Sequence, residues 1–182
     1  MPEVDTFRPE PGTLRTRDEI PDKYKWDLGS ICPDWDEWTA AYKRLEVAVD
    51  AFPAFQGTLA AGPDQLLAAF RAMDDMGALS YRVWYFAALH YDEDQRDNNI
   101  NARRQQVQIL FARQQQSSSW FNPELLAIPF ETIRGWLDAR ADLSMYRFAI
   151  DSLFHEQGHV LDKDGERLLS YAGRFNSVPP DS

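Results

Sequence analysis

Apolar residues recur at steps of three and four along most of the chain, which is the period of an α-helix. The first such run follows Pro33, where Asp34 can cap a helix and Glu37 stands three positions later. Pro53 ends the run. Its apolar stripe consists of Trp35, Trp38, Tyr42, Leu45, Val49 and Phe52. The pattern predicts an amphipathic helix that starts after Asp34 and reaches about Phe52.

The same period continues in later parts of the chain. A second helix is predicted from Pro63 to about Asp92, with Gly77 as the place where it could bend. A third carries apolar residues on one side and Arg and Gln on the other, a face that we interpret as solvated. Shorter helices are predicted over residues 120–129, 131–139, 143–156 and 164–175. Strand patterns are nearly absent, so we predict an all-α fold, an array of antiparallel helices with short connections.

Proline and glycine interrupt the first 33 residues too often for a regular element. We predict an extended strap there that lies across other elements, with four apolar anchors: Ile20, Tyr24, Trp26 and Leu28. Three segments are therefore predicted, namely the strap 1–33, a helical segment 34–116 and a second helical segment 117–182. The final loop, residues 176–182, stops without a terminal element, which predicts a chain truncated at its C-terminus.

Composition limits the classes of function. The 182 residues are 44% hydrophobic and 13% aromatic, as expected of a globular chain, and the formal net charge is -10. Such a charge argues against non-specific nucleic-acid binding and against binding to anionic membranes. Cys32 is the single cysteine, and neither a secretory signal nor an apolar run of membrane-spanning length occurs. We therefore predict a cytoplasmic protein without nucleic-acid or membrane partners.

One short string has the spacing of a zinc-protease signature: His155, Glu156 and His159 within His-Glu-Gln-Gly-His. Two His four positions apart share a helix face and offer two imidazoles to zinc, while the Glu can act as general base for metal-bound water. A catalytic zinc also needs a third protein ligand. The residues considered for that ligand are Asp162, Asp164, Glu166 and the distant His90.

The surroundings of this string argue against a metal site. Gly158 is unfavourable inside a helix, and a turn-like sequence follows it. His155 shares its helix face with Ser152, so we expect it to face water. We predict a polar helix C-terminus, with no catalytic, cofactor-binding or metal-binding residue in this chain. The alternative is a zinc site that uses Asp162 or Asp164 as its third ligand.

Three segments carry a resemblance to a known family. Residues 120–129 read Trp-Phe-Asn-Pro-Glu-Leu-Leu-Ala-Ile-Pro, residues 143–148 read Leu-Ser-Met-Tyr-Arg-Phe, and residues 19–28 read Glu-Ile-Pro-Asp-Lys-Tyr-Lys-Trp-Asp-Leu. Their order resembles the N-terminal region of the oligoendopeptidase F family over most of residues 17–175. The chain departs from the family pattern at Asp162, where the family has Ser, and at Gly165, where its acidic run has Glu.

The resemblance implies a cytoplasmic zinc endopeptidase with a helical body around a deep channel that admits short peptides. In the family, the counterpart of His155 is usually basic and that of His159 lies in a turn outside the active site, so the resemblance implies that the spacing here is accidental. It also implies that the HExGH motif and Glu ligand of the family lie beyond residue 182. We therefore expect the non-catalytic N-terminal portion of such an enzyme, forming part of the channel wall. Its partners would be oligopeptide substrates and a missing C-terminal catalytic domain.

Two other functions stay open at this level. The chain could be a small autonomous zinc metalloprotease that uses the string at residues 155–159, with its Glu as the base for metal-bound water. It could also be a helical interaction module without catalysis, whose aromatic stripes contact a partner. Aromatic residues at helical spacing are more often core residues, so composition favours the last alternative least.

Overall fold

A computed structural model describes residues 20–157 of the chain, and the regular elements in that range are all helical. The predicted all-α class is thereby confirmed. The α-helices of the described range are α1 (Trp35–Ala51), α2 (Pro63–Glu93), α3 (Asn98–Ser118), α4 (Phe121–Ala127), α5 (Phe130–Ala139), α6 (Ala141–Ser144) and α7 (Arg147–Gln157). Short 3-10 turns occur at Asp22–Tyr24, Leu28–Ser30, Phe52–Phe55 and Leu59–Ala61. The predicted helix 164–175 and the final loop lie outside the described residues.

The described residues form two compact units. The first contains residues 20–54 and 71–118, and the second contains residues 55–70 and 119–157. Residues 55–70 thus group with the later part of the chain, although they lie within the predicted segment 34–116. The division into three segments stays a prediction about domains.

The start of α1 follows directly from its capping residue. One carboxylate oxygen of Asp34, Oδ1, accepts hydrogen bonds from the backbone N–H of Asp36 at 3.0 Å and of Glu37 at 2.8 Å. The helix ends at Ala51, and the chain continues in a 3-10 turn that contains Pro53. The predicted beginning and end of this helix are both confirmed.

Contacts inside the first unit fix the directions of its helices. Trp35 packs against His90 with ring centroids 5.0 Å apart, and the indole Nε1 of Trp38 donates to the Val83 carbonyl oxygen at 2.8 Å. Later positions of α1 therefore meet earlier positions of α2, so these two helices are antiparallel. The phenol of Tyr42 lies 3.4 Å from the carbonyl oxygen of Gln106. Together with the ion pair of Arg113 and Asp50 at 2.5 Å, this contact shows that α1 and α3 are parallel.

The second helix has the predicted extent, Pro63–Glu93. Gly77 lies inside it without ending the helix, and its apolar face supplies buried side chains to the core, among them Met76, Val83 and Phe86. Although α2 is 31 residues long, neither it nor any other helix within residues 20–157 is apolar enough over sufficient length to cross a membrane.

The Arg-rich side of α3, predicted to be a solvated face, is partly a packing surface. The guanidinium of Arg103 lies 4.1 Å from the ring centroid of Trp35, and that of Arg104 lies 3.9 Å from the ring of Tyr91. Arg113 contacts two carboxylates of α1, including that of Asp50. The planar guanidinium stacks on aromatic faces and buries its stem there, so these residues join helices as well as facing water. The solvated interpretation was wrong for Arg103 and Arg104, which are half-buried, whereas Arg113 is exposed as predicted.

Within residues 20–33, the described part of the strap, the buried side chains lie towards its C-terminal end. Leu28 and Cys32 are buried, whereas Tyr24 and Trp26 are 44% and 56% exposed. The guanidinium Nε of Arg82 also donates to the Ile31 carbonyl at 3.0 Å. Residues 20–33 form two 3-10 turns instead of a continuous extended segment. Of the apolar anchors predicted here, Leu28 is confirmed as buried, whereas Tyr24 and Trp26 are largely exposed.

In the second unit, the helix predicted over residues 143–156 is divided into α6 and α7. The backbone N–H of Tyr146 donates to the Leu143 carbonyl at 3.0 Å, a tight turn that closes α6, and the Ile150 N–H then donates to Tyr146 to begin α7. The ring of Tyr146 stacks on Phe70 with centroids 4.4 Å apart. Tyr146 lies between α6 and α7 and packs against a residue that is distant in sequence. The periodicity of the local sequence therefore did not predict the division into two helices.

Candidate functional site

The zinc-like string begins in the last turn of α7. His155 and Glu156 are both exposed, so the prediction that His155 faces water is confirmed. Gly158 and His159 lie outside the described residues, as do the possible ligands at positions 162, 164 and 166. Within residues 20–157, no three His, Cys, Asp or Glu side chains come together in a way that could hold a metal ion. The His, Cys, Asp and Glu residues within 20–157 therefore do not fit a zinc site. That the string at residues 155–159 does not bind zinc stays a prediction.

His90, the other imidazole considered as a ligand, lies in an aromatic environment in the first unit. Its ring packs against Trp35 at 5.0 Å and against Phe86 at 4.5 Å between centroids. Its Nδ1 lies 3.5 Å from a carboxylate oxygen of Glu93, one helical turn later. These rings, with the strap residues Asp27 and Cys32 among others, line a cleft of about 370 Å³. His90 therefore serves the packing of α1 against α2.

Glu124 is the ionisable residue of the segment 120–129, and each of its two carboxylate oxygens accepts a backbone hydrogen bond. Oε2 accepts the N–H of Gly57 at 2.7 Å, and Oε1 accepts the N–H of Leu59 at 2.9 Å. Gly57 has a φ of 82°, a left-handed conformation that favours glycine. Glu124 also lines a cleft of about 480 Å³ together with Pro129 and Trp136. The carboxylate thus holds a turn in place.

The segment 143–148 also contributes mainly to packing. Leu143 is fully buried, the ring of Tyr146 stacks on Phe70, and Arg147 Nη2 lies 2.5 Å from Asp138 Oδ1. Phe148 differs from the others because 83% of its surface is exposed. The motifs at residues 120–129 and 143–148 therefore contribute to the packing of the second unit.

Comparison with known proteins shows which sequences and structures this helical chain is similar to. The sequence model of the family described as Oligopeptidase F matches residues 124–181. The chain is 25% identical over 169 residues to the plasmid oligoendopeptidase F of Lactococcus lactis subsp. cremoris, covering 92% of this chain and 28% of that protein. It is 26% identical over 159 residues to the Group B oligopeptidase PepB of Streptococcus agalactiae serotype III (strain NEM316), covering 87% and 26%.

Two solved structures are also similar to this chain. Oligoendopeptidase-F from Enterococcus faecium is similar with a TM-score of 0.62 and 26% identity, over 77% of this chain and 27% of that one. A chain from Chlamydophila abortus has a TM-score of 0.69 at 22% identity, over 88% and 27%, a likeness of fold alone. The resemblance to the N-terminal region of the oligoendopeptidase F family is thereby confirmed. The chain spans about 28% of the length of the first of these relatives.

Proposed function

We propose that this chain is the non-catalytic N-terminal portion of a zinc metalloendopeptidase that hydrolyses short peptides, and that it forms part of the wall of the substrate channel. The observation that carries the proposal is one of coverage: 92% of this chain aligns with only 28% of an oligoendopeptidase F. A segment that matches so small a share of its relatives is expected to work with a larger remainder that supplies the chemistry.

The environments of the motif residues support a structural role for them. Glu124 uses both carboxylate oxygens on backbone N–H groups, and Arg147 pairs with Asp138. A catalytic acid or base must be able to reach a proton of the substrate, and these pairings occupy the groups that could do so. Their arrangement is that of residues which fix helices and turns.

Zinc belongs to this proposal as a cofactor of the longer protein, bound by residues outside this chain. The described donors do not form a three-ligand group, and His155 lies exposed at the end of α7. In the proposed function, the spacing of the string at residues 155–159 is accidental. The autonomous metalloprotease remains the competing function, and it requires that string to bind zinc.

The proposed substrates are oligopeptides, and the proposed partner is a C-terminal catalytic domain in the same polypeptide. A cytoplasmic location is part of the same proposal and is supported by the single cysteine among 182 residues. The net charge of -10 supports the absence of a nucleic-acid partner, because phosphate binding requires clustered positive charge.

The coding sequence downstream of the Ser182 codon tests the proposal. We expect it to continue for several hundred residues and to encode a second HExGH string with a Glu on a following helix, because a catalytic zinc needs a third ligand. Cleavage of short peptides by that longer protein should be lost when the first His of the second string is replaced. A gene that ends at Ser182 would contradict the proposal.

A further inference from the structure

A groove runs between α2 and α3 within the first unit. Its volume is about 430 Å³, within the range of roughly 300–1,000 Å³ that small-ligand sites occupy. The lining residues recur at steps of three and four on each helix, so the groove follows the helix axes for two turns, about 10 Å. Its walls are largely aromatic or amide-bearing, with contributions from Tyr81, Trp84, Phe111, Gln114 and Gln115.

Gly77 lines this groove and has no packing reason to be a glycine. Inside a helix, glycine is less favourable than alanine by roughly 1 kcal/mol. A Cβ built on Gly77 would meet no atom within 4 Å, so the described part of the fold leaves open space there. Close approach of a ligand to the helix backbone is a second reason for glycine in such a position, and it fits a residue that lines a groove.

The hydrogen-bonding groups of the groove are suited to an extended chain. Ser80 Oγ donates to Gln114 Oε1 at 2.8 Å, which orients that amide and leaves its N–H groups as donors. The side-chain amide of Gln115 makes no hydrogen bond to the residues that the structure describes. An extended peptide presents unpaired backbone N–H and C=O groups, whereas a helix satisfies its own internally. Amides therefore favour an extended occupant over a helical one.

The groove is uncharged, although the chain carries a net charge of -10. Its lining, taken from residues 77–84 and 111–118, contains no Asp, Glu, Lys or Arg. The rings of Trp84 and Phe111 lie 5.9 Å apart at an angle of 42° and form an apolar end. Burial of a charged side chain against them would carry a desolvation cost without a compensating partner. An uncharged occupant with an apolar side chain fits these walls.

We propose that this groove binds an extended, uncharged peptide segment of about three residues, the number that spans about 10 Å at 3.3–3.6 Å per residue. An apolar side chain lies against Trp84 and Phe111, and the Gln114 and Gln115 amides bond to the peptide backbone. The inference rests on the proposed function, which makes peptides the substrate class, and it adds a contact surface for the peptide in the N-terminal portion.

Titration of the 182-residue chain with acetyl-Ala-Phe-Ala-amide, followed calorimetrically, tests the inference. We expect saturable binding, weakened at least tenfold by Gly77→Leu, because the new side chain fills the groove. Gln115→Ala should weaken binding about fivefold, the effect of losing one hydrogen bond of about 1 kcal/mol. Gly135→Leu is the matched control, since Gly135 is also a helical glycine with open space around it, in the second unit, and should leave binding unchanged.

Further probes separate the other occupants. Acetyl-Ala-Glu-Ala-amide should bind at least tenfold more weakly, and a neutral amphipathic helical peptide should not compete. The inference is overturned if no neutral tripeptide binds, if Gly77→Leu and Gly135→Leu behave alike, or if the helical peptide binds more tightly. Such a failure would leave the proposed function intact, because that function is tested by the coding sequence.

Discussion

The carboxylate of Glu124 accepts the backbone N–H of Leu59 at 2.9 Å, although the two residues are 65 positions apart in sequence. Its second oxygen holds the N–H of Gly57. One side chain of α4 thereby organises the turns that precede α2. The motif at residues 120–129, which resembles the oligoendopeptidase F family, thus has a structural explanation in this chain.

Replacing Glu124 tests that explanation. Glu124→Ala leaves two backbone donors without their acceptor, one of them part-buried, and should lower the free energy of unfolding by about 1–3 kcal/mol. Glu124→Gln keeps one acceptor oxygen and should cost less. Urea unfolding followed by circular dichroism measures both. The control is Glu131→Ala, which removes an exposed carboxylate that pairs with Arg134 among the described residues and should change stability by less than about 0.5 kcal/mol. Equal effects of Glu124→Ala and Glu131→Ala would contradict the assignment.

The Trp38 indole is a second test of packing, in the first unit. Trp38 is 3% exposed, and its Nε1 donates to the Val83 carbonyl. Trp38→Phe removes this hydrogen bond and part of the buried volume, so it should destabilise the chain by about 1–3 kcal/mol. Trp26→Phe is the matched substitution at a 56% exposed site and should have little effect. Similar unfolding midpoints for the two variants would show that Trp38 is not a core residue.

The turn between α2 and α3 provides a prediction about pH. Hydrogen bonds from the guanidinium of Arg96, and then from its backbone N–H, lower the pKa of Asp94 from 3.8 to about 2. Because the folded pKa is the lower one, the stabilising contribution of Asp94 is present above pH 3.8 and is lost as the pH falls towards 2. A carboxyl ¹³C NMR titration should give a midpoint near 2, and Arg96→Ala should raise the pKa towards 3.8. An unchanged midpoint in Arg96→Ala would refute the stated cause.

Capping residues and prolines in the sequence predicted where helices begin, because these signals act over a few neighbouring positions. Asp34 caps α1 through neighbours two and three positions away, and Pro63 opens α2, so both starts could be read from short spacings. The family resemblance was also evident, because the motifs keep their order along the chain.

Interactions between distant residues could not be predicted in the same way. Arg103 stacks on Trp35 from another helix, so a side that looked solvated is partly a packing surface. Tyr146 stacks on Phe70, 76 positions earlier, at the place where one predicted helix became two. The Gln114 and Gln115 side of the groove was likewise interpreted as a solvated face, because its partner wall on α2 is not visible in the α3 sequence.

The zinc content of the purified 182-residue chain tests the central claim most directly. Elemental analysis after dialysis should find no stoichiometric zinc, and the chain should not cleave short peptides, because the proposed metal site lies outside it. His155→Ala should leave folding and metal content unchanged, since His155 is exposed at the end of α7. One tightly bound zinc per chain that is lost in His155→Ala would contradict the account and support an autonomous metalloprotease.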